Sequence, residues 1–283
     1  MIRSERIQDT LHKVAEFGAA PEGGTTRLSY SKEFFGAQEY LRQEMLKIGM
    51  EVEVDPIGNL VGTYVGTDGI LVPVMSGSHL DTVPLGGNFD GILGVVAALE
   101  VARSWHEEGY TPKRSLQVIA TVEEEGTSFG MACFGVSARC GEFAHKQPQD
   151  IPCIVNDGTL ADCLANAGLK QDALQKAAEE KLPVAFVELH IEQGAELDEQ
   201  GLPAGIVTSI VGFDRLHLVL KGESNHAGTT AMHRRKDAVA AGAAIALGVQ
   251  ALARKDKRFV ATVGSFTVEP NVCLLYTSPS PRD

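Results

Sequence analysis

ILVPVMSGSHLDTVPLGGNFDGILGVVAALEVARSWHEEG, residues 70–109, decides the fold. Its first ten residues form an apolar run, as in a buried strand. Residues 91–109 carry apolar side chains at helical spacing and end on Gly109, a helix stop. Asp90 stands just ahead of the helix, where an N-cap belongs. The glycine-rich segment between them, residues 77–91, holds His79, Asp81 and Asp90 and little that packs. Glycines let backbone approach something small, and an imidazole with carboxylates is a ligand set for a divalent cation. The segment reads either as a solvated turn with chance acids or as a metal loop.

The same grammar recurs on both sides. Residues 4–17 and 31–49 read as helices, and EVEVDPIGNLVGTYVG (51–66) as two strands around a Pro-Ile-Gly-Asn turn. SLQVIATVEEEG (115–126) is a second buried strand that runs into acids. Residues 159–181 look helical, and LPVAFVELHIEQG (182–194) is a third apolar strand, running into His190. Strands alternating with helices predict an α/β sheet with several parallel strands. Such sheets bind ligands beyond the carboxyl ends of their strands, where His79, Glu123 to Glu125 and His190 all fall. That placement favours the metal loop over the turn.

Near residue 208 the composition changes. Residues 214–222 alternate like a half-exposed strand, 237–255 form an Ala-rich helix, and 258–270 read as another strand. This order suggests a second, smaller α+β unit. Between its first strand and its helix, SNHAGTTAMHRRKDA (224–238) places His226 in a loop of small residues, as a donor able to reach over a site. Arg234 and Arg235 either hold an acid or cap the surface.

The bulk numbers narrow the class. The chain has 283 residues and a formal net charge of −12, which argues against nucleic acid or an anionic membrane as partner. Cys133, Cys140, Cys153, Cys163 and Cys273 are scattered and odd in number, with no close pair, so neither a disulfide framework nor a thiolate zinc cluster is expected. The N-terminus lacks the apolar core of a signal peptide, and no run approaches the roughly 18 apolar residues of a membrane span. The expected address is the cytoplasm.

The three adjacent acids of VEEEG (122–126) repel one another unless something offsets them. Beside a dication, one carboxylate binds while its neighbour takes a proton from water. The residues alone therefore reach metal-assisted hydrolysis.

GSHLDTV, GGNFDG, EEEG, LHIEQG and NHAGTTAMHRRKDA, in this order, resemble the M20 metallopeptidase superfamily. More narrowly they resemble its amidohydrolase branch, which comprises N-carbamoyl-L-amino acid hydrolase, beta-ureidopropionase and allantoate amidohydrolase. The resemblance implies an α/β catalytic domain carrying two divalent metal ions, zinc or manganese before cobalt or nickel. It also implies an inserted α+β, ferredoxin-like lid domain that makes a homodimer. On the matching positions, His79 and His190 would bind one metal, Asp90 would bridge, and Glu125 would bind the other. Asp81 would orient the His79 ring from behind. Glu124 would be the general base toward the attacking water, His226 would stabilise the oxyanion from the partner's lid, and Gln193 would touch substrate. The domains would be 1–207, catalytic, and 208–272, lid.

The implied substrate is a small ureido compound. Arg215, early in the lid's first strand, matches an arginine of the allantoate branch that faces the substrate carboxylate, and a planar guanidinium suits that contact. The choice between allantoate and an N-carbamoyl-L-amino acid leans on it. Competing readings are an M20 aminoacylase or dipeptidase, and a metal-binding fragment without turnover. The last arises because the resemblance stops near Val272. CLLYTSPSPRD (273–283) looks like a translated sequencing-library adapter, so 273–283 is expected to be non-native. The lid, a late metal-binding histidine and a carboxylate-holding arginine are expected to be incomplete or missing.

Overall fold

Two buried polar clamps fix the entry of the chain. The computed structural model describes residues 1–212, 214–256 and 259–269. Helix α1 (Ser4–Ala15) lies against α3 (Ile92–Glu107), where Glu100 is fully buried. A buried carboxylate needs partners. Arg6 supplies two, with Nε and Nη2 each 2.7 Å from a Glu100 oxygen, and the Arg3 amide adds a third at 2.9 Å. The second clamp is Arg27, also buried. Its Nε donates to Leu80 O at 2.7 Å, and its Nη1 donates to Val14 O and Phe17 O at 3.2 and 3.1 Å. Burial pulls the Arg27 pKa down to about 10, with Asp81 opposing.

Helix α2 (Lys32–Lys47) starts at Ser31, whose side chain accepts the Phe34 amide. It buries Phe34, Leu41 and Met45. Strands β1 (Glu51–Val54) and β2 (Leu60–Tyr64) pair antiparallel. The turn between them is organised by Asp55, whose Oδ1 accepts the amides of Ile57, Gly58 and Asn59 at 2.9–3.1 Å. Strand β3 (Val74–His79) runs parallel to β4 (Leu116–Thr121), with α3 as the connection between them. β5 (Ala185–Val187) is parallel to β3, and the sheet order is β1-β2-β4-β3-β5. The core lies where α2 and α3 meet the sheet, around Leu60, Val95, Leu99, Val118 and Ala120.

Several sequence expectations are corrected. The third strand is not buried. β5 is exposed throughout, because among the described residues its only neighbour is β3 and it lies at the sheet edge. Residues 159–181 form two short helices, α5 (Leu160–Asn166) and α6 (Ala173–Ala177), with Gly168 at φ 71° between them. α4 (Phe134–Arg139) and α7 (Glu196–Glu199) are also short.

The chain divides into two units, residues 1–205 and a second that begins at Ile206. In the second unit α8 (Ala238–Ala253) forms, capped by Asp237, which accepts the Ala240 amide at 3.0 Å. Residues 214–222 and 259–269 are extended without pairing into strands, contrary to expectation. An alternating pattern fixes which face is apolar, but a strand exists only through a bonded neighbour. Instead Phe266 and Leu220 close on Gly242 of α8, where a Cβ would meet the Phe266 ring at 2.8 Å. The expected tail, 273–283, lies outside the described residues. Among these residues no helix is long and apolar enough to cross a membrane.

Candidate metal centre

Two strand ends and one helix start meet. His79 is the last residue of β3, His190 follows β5 by three residues, and Asp90 precedes α3. Asp90 does not cap that helix. Gly91 holds the cap position at φ 67° with no side-chain cap bond, which frees the carboxylate to turn toward the histidines. Asp90 Oδ1 lies 3.2 Å from His190 Nε2 and 3.7 Å from His79 Nε2, and Oδ2 accepts the Gln193 amide at 2.9 Å. Gln193 sits at φ 55°.

The hydrogen bonds settle the tautomers. His79 Nδ1 is 2.8 Å from Asp81 O, and His190 Nδ1 is 2.9 Å from Ile191 O. A carbonyl only accepts, so each Nδ1 carries a proton, and in its neutral form each ring turns a bare Nε2 lone pair inward. Two lone pairs then face Asp90 Oδ1, a buried atom with no hydrogen-bond partner. Three electron-rich atoms within 4.8 Å of one another repel unless a cation lies among them. The donor set fits a divalent metal.

Glu125 is not in that group of three. It is held beside it. The Asp81 carboxylate accepts the Glu124 and Glu125 amides, each at 3.1 Å. The sequence expects this carboxylate to orient the His79 ring; the carbonyl oxygen of Asp81 does so, and the carboxylate fixes the acidic loop. Burial raises the Asp81 pKa to about 6, against the pull of His79. For Glu125 burial again raises the pKa, with Asp90 and Glu124 adding to it and His79 opposing. For His79 burial opposes the charge, but Asp81, Glu124 and Glu125 prevail and the pKa rises. A bound cation reverses such shifts, since it favours carboxylate and neutral imidazole.

Glu124 is half-buried, with Oε2 3.8 Å from His79 Nε2. Its Oε1 accepts the Cys133 thiol at 3.3 Å, a contact invisible in the sequence. Cys133 lies nine residues on and reaches back only because it takes a left-handed φ of 54° and donates its amide to Glu124 O at 2.8 Å. Burial, then Glu124, pushes the Cys133 thiol up to about 12. Glu123, the first of the three acids, is no ligand. It is fully buried, and its Oε1 accepts the Ser128 and Phe129 amides at 2.7 and 2.8 Å.

A scan against family models matches residues 75–272 to the peptidase family M20/M25/M40. The chain belongs to that family. Among similar members of M20, an N-carbamoyl-L-amino acid amidohydrolase of Geobacillus stearothermophilus is 40% identical over 95% of this chain and 66% of its own length. An allantoate amidohydrolase of Bacillus subtilis is 39% identical over 94% of this chain and 64% of its own. This M20 chain thus spans just under two thirds of those relatives. Solved structures agree. AtUAH in complex with (S)-hydroxyglycine matches with TM-score 0.77 and 27% identity over 96% of this chain and 66% of that one. A hydantoinase/carbamoylase family amidase from Burkholderia ambifaria matches with TM-score 0.71 and 32% identity over 90% and 62%.

His226 and Arg215 of the M20 chain lie in the second unit, both exposed. His226 Nδ1 accepts the Gly228 and Thr229 amides at 3.0 and 3.1 Å. Among the described residues Arg235 holds no acid. Its Nε and Nη2 donate to Thr230 O and Ala227 O at 3.0 and 2.5 Å.

Proposed function

We propose that the chain is the larger part of a metal-dependent amidohydrolase that cleaves a ureido C–N bond of allantoate or an N-carbamoyl-L-amino acid. The observation that carries this is Asp90 Oδ1, buried and unpartnered between two bare imidazole nitrogens. His79, Asp90 and His190 would hold one divalent ion, with Asp90 and Glu125 turned toward a second; zinc or manganese suits the set. Such an ion, when bound, lowers the pKa of water and polarises a carbonyl.

The remaining work falls to the chain's own groups. Glu124 takes the proton of the attacking water and returns it to the leaving nitrogen, with Cys133 and the Asp81-held backbone fixing its aim. His226 donates to the developing oxyanion. Gln193 holds Asp90 and borders the substrate. The two named relatives differ by one percentage point in identity, so they do not rank the substrates. Arg215 matches an arginine of the allantoate branch, and on that match the reading leans to allantoate. The active form is read as a homodimer in the cytoplasm, with residues 1–207 catalytic and 208–272 the lid.

A hydrolysis screen tests this. Allantoate, N-carbamoyl-L-amino acids and N-acetyl-amino acids are offered to a metal-loaded, complete homologous chain carrying this site, since residues 1–283 alone are expected to be inactive. Ureido cleavage is expected. Release of acetate alone would move the assignment to an aminoacylase.

A further inference from the structure

The histidines of this chain carry opposite tautomers. His79 and His190 give their Nδ1 protons to carbonyls and turn bare Nε2 atoms inward. His226 does the reverse. Its Nδ1 faces two amides, those of Gly228 and Thr229, and an amide only donates. Nδ1 must therefore be the bare nitrogen, and the proton of the neutral ring sits on Nε2. The first two rings are set to ligate, and the third is set to donate.

The loop that does this is short. Residues 226–230 close on themselves through the Thr230 amide, which donates to His226 O at 3.2 Å. Arg235 spans the same turn from outside, with Nε on Thr230 O and Nη2 on Ala227 O. The peptide after Ala227 carries the Gly228 amide, so the orientation of that carbonyl fixes the orientation of that N–H. A planar guanidinium holds two carbonyls in one fixed geometry, which a lysine cannot do.

We infer that Arg235 is a positioning residue: by gripping the carbonyls of Ala227 and Thr230 it aims the Gly228 and Thr229 amides at His226 Nδ1 and locks the ring as an Nε2–H donor. That this donor serves an oxyanion rests on the proposed hydrolysis; the lock itself does not.

Long-range ¹H–¹⁵N spectra of the uniformly labelled chain read the tautomer directly. They are recorded at about pH 8.5, above the ordinary imidazole pKa of about 6.5, with the His226 signals assigned by their loss in His226→Gln. Two hydrogen bonds to one nitrogen bias the tautomers by at least about tenfold, so His226 should show the Nε2–H pattern almost alone. In Arg235→Met the bias should fall several-fold toward a mixture, with α8 retained by circular dichroism. Arg235→Lys, able to reach one carbonyl at a time, should lie between, and it decides the matter if Arg235→Met unfolds. An Nδ1–H pattern in the unaltered chain would overturn the lock. A folded Arg235 variant with an unchanged tautomer would overturn the role of Arg235. Neither outcome depends on turnover, so an inactive complete homologue with a locked ring would count against the hydrolase reading alone.

Discussion

Gly91 gives up its side chain to the ring of His79. A Cβ at Gly91 would lie only 2.4–2.5 Å from Cδ2, Nε2 and Cε1 of the imidazole, and the backbone there has φ 67°. An alanine would cost about 1–2 kcal/mol in backbone conformation alone and would push the ring aside. Gly91→Ala should therefore weaken binding of zinc or manganese by roughly 10–100-fold, the range for groups that orient a ligand. Calorimetric titration checks this, and an unchanged affinity would show that the ring needs no such space.

Metal binding should hold the strand ends together. The chelator-treated chain should gain about 2.7 kcal/mol of stability at a free metal concentration of 100 times Kd, read as a rise in melting temperature. His190→Ala should abolish most of that gain. Affinity should fall as the pH drops, beginning above the ordinary imidazole value of about 6.5 because, against burial, the neighbouring acids raise the His79 pKa. A pH-independent gain surviving in His190→Ala would place the metal elsewhere.

Removing Arg27 should damage fold and centre together. Arg27→Met leaves the carbonyls of Val14, Phe17 and Leu80 without their buried donor. Each unsatisfied group costs about 1–3 kcal/mol, so a loss of about 3 kcal/mol or more is expected in urea unfolding. Leu80 follows His79, so metal affinity should drop in step. A destabilised variant with intact affinity would separate the clamp from the centre.

In a complete homologous chain, Glu124→Gln should keep metal and lose about 10²–10⁴-fold in turnover, since only proton transfer is removed. Metal content that fell with activity would make Glu124 a ligand instead.

In the same complete chain, Arg215→Met should reduce turnover of a carboxylate-bearing ureido substrate by roughly 10–100-fold, the equivalent of one charged hydrogen bond. A neutral ureido compound should be little affected. Equal losses for both would show that Arg215 does not meet the substrate carboxylate.

The grouping of His79, Asp90 and His190 was readable because these residues flank apolar runs. His79, Asp90 and His190 converge by virtue of sheet topology, which alternating strands and helices announce. The details set by loop torsions were not readable. The contact of Cys133 with Glu124 depends on a left-handed residue that is not glycine, and no sequence rule asks for a cysteine there. The Asp81 carboxylate serves the 124–125 backbone rather than a ring, a choice made by three-dimensional proximity. Periodicity also overstated the strands. It marked 182–194 and 214–222 as apolar runs but carried no information on whether a bonded neighbour existed to cover them.

The brevity of β5 governs how quickly a bound ion can leave. Three residues pair this strand with β3, Glu188 just beyond it accepts the Ser78 hydroxyl, and His190 lies past both, whereas His79 ends a six-residue strand paired on both sides. Edge amides of so short a ladder open far more often than those at the sheet centre. Each opening removes one imidazole from the cation while the other stays in place. Dissociation should therefore be paced by fraying of residues 185–190, and deuterium uptake there should slow when metal is added, with little change in β4.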